Sequence, residues 1–221
     1  MPDLTSPLKL HLGCWKRFLP GFVHIDLADF PHIDYRRSVD DLSIFEDDSV
    51  DFIYASTVLE YFSFKQAPQV LQEWCRVLKP GSAIKIAVPD FESMISYYKK
   101  TGRVLDLQGL IYGSMSIPTP DGNSQSFGHK MLYDFKLLKQ LLEQNGFKSV
   151  GRYDWRQFLP VGEEDASAAY IPSHDYQNGI LMSLNVQAVK AGPIETSFLK
   201  GKHLAVRIGN KALRETKKLL K

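Results

Sequence analysis

Apolar and polar positions alternate at the start of the chain. Leu8, Leu10 and Leu12 alternate with Lys9 and His11, Gly13 follows at once, and Phe22, Val23 and Ile25 lead to Asp26. A period of two on either side of a glycine predicts two short strands flanking a turn. After an acid-rich connection with room for a short third strand near residues 33–37, Phe52, Ile53 and Ala55 mark a fourth strand over residues 51–56, entered from the turn Asp47-Asp48-Ser49. The period then changes. Val70, Leu71, Trp74, Cys75 and Leu78 fall at helical spacing over residues 66–78, and Lys79-Pro80-Gly81 ends that helix. Ala83, Ile84, Ile86 and Val88 predict a fifth strand ending on Pro89-Asp90, followed by a helix from Glu92 toward Lys100. Asp134 is placed to cap a helix whose face carries Leu137, Leu138, Leu141 and Leu142 and which Asn145-Gly146 closes. Strands at 148–155 and 180–189 complete the pattern.

This order predicts an α/β fold with a mostly parallel sheet closed by an antiparallel last strand. The stretch between Gly13 and Phe22 is shorter than a crossover helix requires, so the first helix is missing or reduced to a turn. Two segments exceed ordinary connections. Residues 113–130, rich in Gly, Pro and Ser, are read as a lid or a surface excursion. Residues 156–179, rich in aromatics and acids, rise from the ligand face if the strand before them runs parallel to its neighbours. In such sheets ligands sit beyond the carboxyl ends of the strands. A glycine there lets backbone approach a ligand, and a strand-tip carboxylate such as Asp26 can accept two hydrogen bonds from a ribose diol. An ordinary turn and a solvated strand end remain the plainer alternative at this point.

Composition narrows the class. At 221 residues and 44% hydrophobic content the chain can bury a full core, expected as one domain over residues 1–194 with a tail at 195–221. No apolar run reaches the ~18 residues of a membrane span, and no secretory leader pattern opens the chain. Cys14 and Cys75 lack metal-ligand spacing and read as buried small hydrophobes in a reducing compartment, hence a cytoplasmic protein with no metal site. From Lys200 the chain carries eight Lys or Arg against one acid, a net +7 that leaves the remainder at −5. An acidic body with a basic tail argues against a nucleic-acid groove across the fold. The tail reads as a solvated helix, with peripheral contact to an anionic membrane or a partner as the alternative.

Four segments together resemble the class I S-adenosylmethionine-dependent methyltransferases of the small bacterial type: HLGC with PGFVHID, VDDLSIFEDDSVDFIYASTVLEYF, LQEWCRVLKPGSAIKIAVPDF and GHKMLYDFKLLKQLLEQNGF. The resemblance spans about residues 8–190 and implies a Rossmann-like fold and S-adenosylmethionine as cofactor. It places Leu12, Gly13 and Cys14 at the cofactor's amino-acid end, Asp26 at the ribose, Asp41 and Leu42 at the adenine, and Ala55 and Ser56 beside the methionine portion. Two positions depart from the family's pattern. Trp15 stands where the second glycine of G-x-G is usual, and Tyr61 replaces the histidine of a V-L-E-H segment. The resemblance therefore implies methyl transfer to a small-molecule or glycan acceptor, with a non-catalytic binding or assembly module of the same fold as the alternative.

Methyl transfer needs alignment of nucleophile, methyl and sulfur, and a hydroxyl acceptor gains from a base. Asp90 and His129 are the catalytic candidates, with Tyr133 and His174 nearby in the pattern; Asp90 also suits a helix cap. The D/N-P-P-Y/F motif of nucleic-acid methyltransferases is absent, since Ser56-Thr57-Val58-Leu59 occupies that stretch. A nucleic-acid substrate is not expected.

Overall fold

The computed structural model describes residues 6–118 and 123–192. In chain order the elements are β1 (Lys9–Leu12), β2 (Val23–Asp26), β3 (Tyr35–Arg36), β4 (Val50–Ser56), a 3-10 turn at Leu59–Tyr61, α1 (Ala67–Val77), β5 (Leu78–Pro89) and α2 (Phe91–Thr101). A 3-10 turn at Val104–Leu107 runs into α3 (Gln108–Tyr112). Then follow β6 (Met115–Pro118), β7 (Ser124–Phe127), α4 (Phe135–Gln144), β8 (Phe147–Arg152), β9 (Tyr170–Ile171), β10 (Ile180–Leu181) and β11 (Ser183–Lys190). The main sheet has the order β3-β2-β1-β4-β5-β11-β8. All pairs from β3 to β5 are parallel, and β11 runs antiparallel to both β5 and β8. The expected mostly parallel sheet with an antiparallel last strand is therefore the observed one.

Strand alternation assigns the two faces. Ile53 and Ala55 of β4 lie in one core with Leu71 and Trp74 of α1 and Leu138 and Leu142 of α4; the indole of Trp74 also donates to the Val39 carbonyl at 2.8 Å. Phe52 and Tyr54, the alternate positions of β4, turn to the other face, where they meet Leu19, Phe22, Trp155, Phe158 and Leu159. No helix joins β1 to β2, as expected from the short connection. Aromatics of residues 153–159 cover the sheet there instead.

Several boundaries differ from the periodicity reading. Lys79-Pro80-Gly81 ends α1 yet belongs to β5. Gly81 takes φ +83° within the register shift between the Val50–Leu78 and Phe52–Ala83 pairs, a bulge that hydropathy alone does not distinguish from a turn. The strand expected over 148–155 stops at Arg152, and Trp155 opens a 3-10 turn. The strand expected over 180–189 divides, with β10 pairing β9 in a separate ribbon while β11 enters the sheet. Residues 113–130 contain the antiparallel hairpin β6–β7, whose tip lies outside the described residues, as does the tail at 195–221. Among the described residues no helix is long and apolar enough to cross a membrane.

Candidate functional site

The carboxyl ends of β1, β2 and β4 open into a cleft of about 450 Å³. That is the size class of pockets that hold a nucleoside-scale ligand. Gly13, Cys14 and Trp15 form its edge beyond β1, Asp26 and Leu27 beyond β2, and Ser56, Thr57 and Val58 beyond β4. Met115, Ser116 and Phe127 of the hairpin and Asp165 and Ala166 of the 156–179 segment form the opposite wall.

The first turn is built by two constraints. Gly13 takes φ +63°, and a Cβ there would come within 2.4 Å of Val58 Cγ2, so only glycine lets the turn pack against the end of β4. Asp26 then pins the turn. Its Oδ2 accepts from the Trp15 N–H and its Oδ1 from the Ala28 N–H, both at 2.8 Å. A carboxylate has lone pairs for about two further donors. Trp15, at φ +49°, packs its ring edge-on against Phe30 at 5.1 Å between centroids and forms part of the cleft wall. The indole borders the cleft and leaves it open.

Buried polar atoms without partners mark the floor. Ser56 Oγ and His11 Nδ1 have no hydrogen-bond partner among the described residues, and both residues line the cleft. Burial and the neighbouring His24 and His32 push the His11 imidazole down to about 3, so it is neutral. Next to it the Tyr54 hydroxyl donates to Asp165 Oδ2 at 2.6 Å, tying β4 to the 156–179 segment. Burial pushes the Cys14 thiol up to about 12, which keeps it protonated and unsuited to nucleophilic chemistry.

Not every residue expected at the site reaches the cleft. Gly13, Cys14, Asp26 and Ser56 line it. Leu12 and Ala55 are fully buried one position back from the strand tips, and Leu42 lies in the same core. Asp41 is exposed, where hydrogen bonds from Ser43 and Arg37 hold its carboxyl down near 2; Ser38 and Val39 line the cleft in that region instead. Asp90 is the N-cap of α2. It accepts from the Glu92 N–H at 3.0 Å and pairs with Arg152 at 3.3 Å, and it lines neither the cleft nor the cavity behind it. Tyr133 is buried, its hydroxyl 3.3 Å from the Leu59 carbonyl, and His174 is exposed beside Glu164.

His129 lies behind the cleft. Its Nδ1 is 3.0 Å from the Leu110 carbonyl, which makes it the donor and leaves Nε2 an acceptor 3.9 Å from Glu60 Oε1. Glu60 is fully buried, neither of its carboxyl oxygens has a hydrogen-bond partner among the described residues, and burial raises its carboxyl to about 8. Glu60 is not among the candidates that the sequence offers. Its one signal is a carboxylate between Leu59 and Tyr61 in an otherwise apolar stretch. His11 and Asp165 are likewise not among those candidates, although a histidine between two leucines on a strand buried on both faces is a local irregularity of the same kind.

A sheet of this order, with a glycine turn ending β1 and an acid ending β2, meets a matching sequence family. Residues 24–86, from β2 into β5, match the model of the family described as "Methyltransferase domain". The strand order and directions are those of a Rossmann-like α/β sheet. Among solved structures the chain is similar to a SAM-dependent methyltransferase of Methanosarcina mazei, at 17% identity over 86% of this chain and 95% of that one with a TM-score of 0.48. It is also similar to an S-adenosylmethionine-dependent methyltransferase of Mesorhizobium loti, at 16% identity over 86% and 94% with a TM-score of 0.46. The 1,6-didemethyltoxoflavin-N1-methyltransferase of Burkholderia thailandensis, solved with 1,6-didemethyltoxoflavin and S-adenosylhomocysteine, matches at 12% identity over 84% and 72% with a TM-score of 0.47. No curated protein matches the chain. The cleft has features that fit S-adenosylmethionine: its volume, the spare acceptor capacity of Asp26, and the Ser56 and His11 atoms without partners among the described residues.

Proposed function

We propose that this chain transfers a methyl group from S-adenosylmethionine to a small-molecule or glycan acceptor. The observation that carries the reading is Asp26, a carboxylate at the tip of β2 that fastens the Gly13 turn and borders a cleft of nucleoside size. When bound, S-adenosylmethionine would supply an electrophilic methyl on a sulfonium sulfur that keeps the C–S electron pair, for an acceptor oxygen or nitrogen that gives its proton to solvent.

The chain's own residues bind and align. Asp26 would hold the ribose hydroxyls, while Gly13 and Cys14 would give the amino-acid end close access to backbone. Trp15 offers an aromatic wall and Ser56 a free hydroxyl at the floor. The hairpin and the 156–179 segment restrict water over the reacting end.

Calorimetric titration with S-adenosylhomocysteine tests the reading. A saturable heat is expected, and its absence at millimolar ligand would overturn it.

A further inference from the structure

Behind the cleft lies a second cavity of about 180 Å³. The two share Thr57, Tyr61, Ser114 and Ala166, so they adjoin. We propose that this inner cavity is the methyl-acceptor subsite and that it takes an uncharged small molecule, about one benzene-sized ring with a hydroxyl or amine substituent. The assignment rests on the methyl-transfer reading above and narrows its acceptor.

Size sets the first limit. An apolar cavity of about 150 Å³ accepts benzene, so this one is sized for a single substituted ring. Charge sets the second. The outer cleft is bordered by Arg17, Asp26, Lys130 and Asp165, whereas among the described residues no Lys, Arg, Asp or Glu lines the inner cavity. Val88, Leu110 and Met182 are among its apolar lining residues. Of its ionisable lining residues, Tyr61 is pushed up to about 12 by burial and by Glu60, and burial lowers His129, so both are neutral at pH 7. Glu60, behind His129, also keeps its proton there. An ionic ligand would lose its hydration with no partner of opposite charge, at a cost of several kcal/mol.

Backbone strain lies at the junction. Thr57, a β-branched residue shared by both spaces, sits at φ +56° at the end of β4. Such conformations persist where the surroundings enforce them and collect at functional sites. Gly113, at φ +58°, brings its backbone so close to His129 that a Cβ would lie 2.3 Å from the ring. The imidazole is thereby fixed against the cavity wall.

Saturation-transfer NMR on the full chain with S-adenosylhomocysteine, using phenol and benzyl alcohol against benzoate and benzylamine, tests this assignment. The two neutral probes are expected to bind and the two charged ones not. Leu110→Trp, and independently Ala169→Leu, should cut the phenol signal about fivefold by filling the cavity, with S-adenosylhomocysteine heat unchanged. Equal binding of charged probes, no binding of neutral ones, or a phenol signal indifferent to both variants would overturn the acceptor assignment. In each of those cases an intact S-adenosylhomocysteine heat leaves the methyl-transfer reading standing. Loss of that heat in the unmodified chain would sink both.

Discussion

The two walls of the cleft are built by different means. On the β1–β2 side the wall is strand tips and tight turns, fastened by backbone N–H groups donating to one carboxylate, Asp26. On the opposite side it is two excursions, the β6–β7 hairpin and residues 156–179, fastened by long-range contacts. Tyr54 reaches Asp165 across 111 positions of sequence, and the Lys130 N–H just beyond the hairpin donates to the Glu60 carbonyl at 2.8 Å. The first wall is fixed by local geometry and suits a constant ligand such as a cofactor. The second depends on a few buried polar contacts, which can change without disturbing the sheet, and so suits the variable partner in the reaction.

The largest effect is expected on the excursion side. Folding raises the Glu60 carboxyl to about 8 from an exposed value of 4.5, so between those values the folded chain holds more proton than the unfolded one. Stability from Glu60 is complete below about pH 4.5 and lost as pH rises through about 8. Glu60→Gln removes that titration. Denaturant melts from pH 5 to 9 should show the variant gaining roughly 3–5 kcal/mol on the parent; a constant gap would show that Glu60 is solvated. His129 acts in the opposite sense, since its lowered value removes stability as pH falls through its usual range.

Next comes the strand-tip wall. Asp26→Ala leaves the Trp15 and Ala28 N–H groups without their acceptor, which should cost about 2–4 kcal/mol and reduce S-adenosylhomocysteine affinity about 100-fold. Calorimetry and melts read the two effects separately, and affinity preserved in a folded variant would remove Asp26 from the site. Gly13→Ala is expected to cost about 1–3 kcal/mol through the left-handed backbone and the Val58 contact. Adding Val58→Ala should restore the contact part and leave the backbone part, so full recovery would deny the strain at φ +63°. The smallest effect belongs to Tyr54→Phe, about 1 kcal/mol for the lost Asp165 bond. Amides around Asp165 should then exchange faster with solvent while those of the Gly13 turn do not; equal acceleration of both would erase the contrast between the walls.

Which parts were legible follows the same division. The strands around Gly13 and Asp26, the Asp134 and Asp90 caps and the missing first helix are products of near neighbours, and spacing exposes them. The Asp134 carboxylate accepts from the Leu137 N–H at 2.7 Å, as an N-cap three residues upstream should. Asp41 and Leu42 show the limit. They are near the expected segment, but one turn of chain decides whether Ser38 and Val39 or their neighbours face the cleft.

The chain by itself determined the alternating sheet, its parallel core with an antiparallel last strand, and the glycine and acid at the first two strand tips, because these depend on side-chain period and turn chemistry over a few residues. Only the tertiary structure decided that Glu60 lies against His129, that Tyr54 holds Asp165, and that an uncharged cavity adjoins a charged cleft. Those outcomes require distant segments to be buried together. The free energy of a buried carboxyl or hydroxyl is set by what surrounds it in space, and that information is carried by no single stretch of sequence.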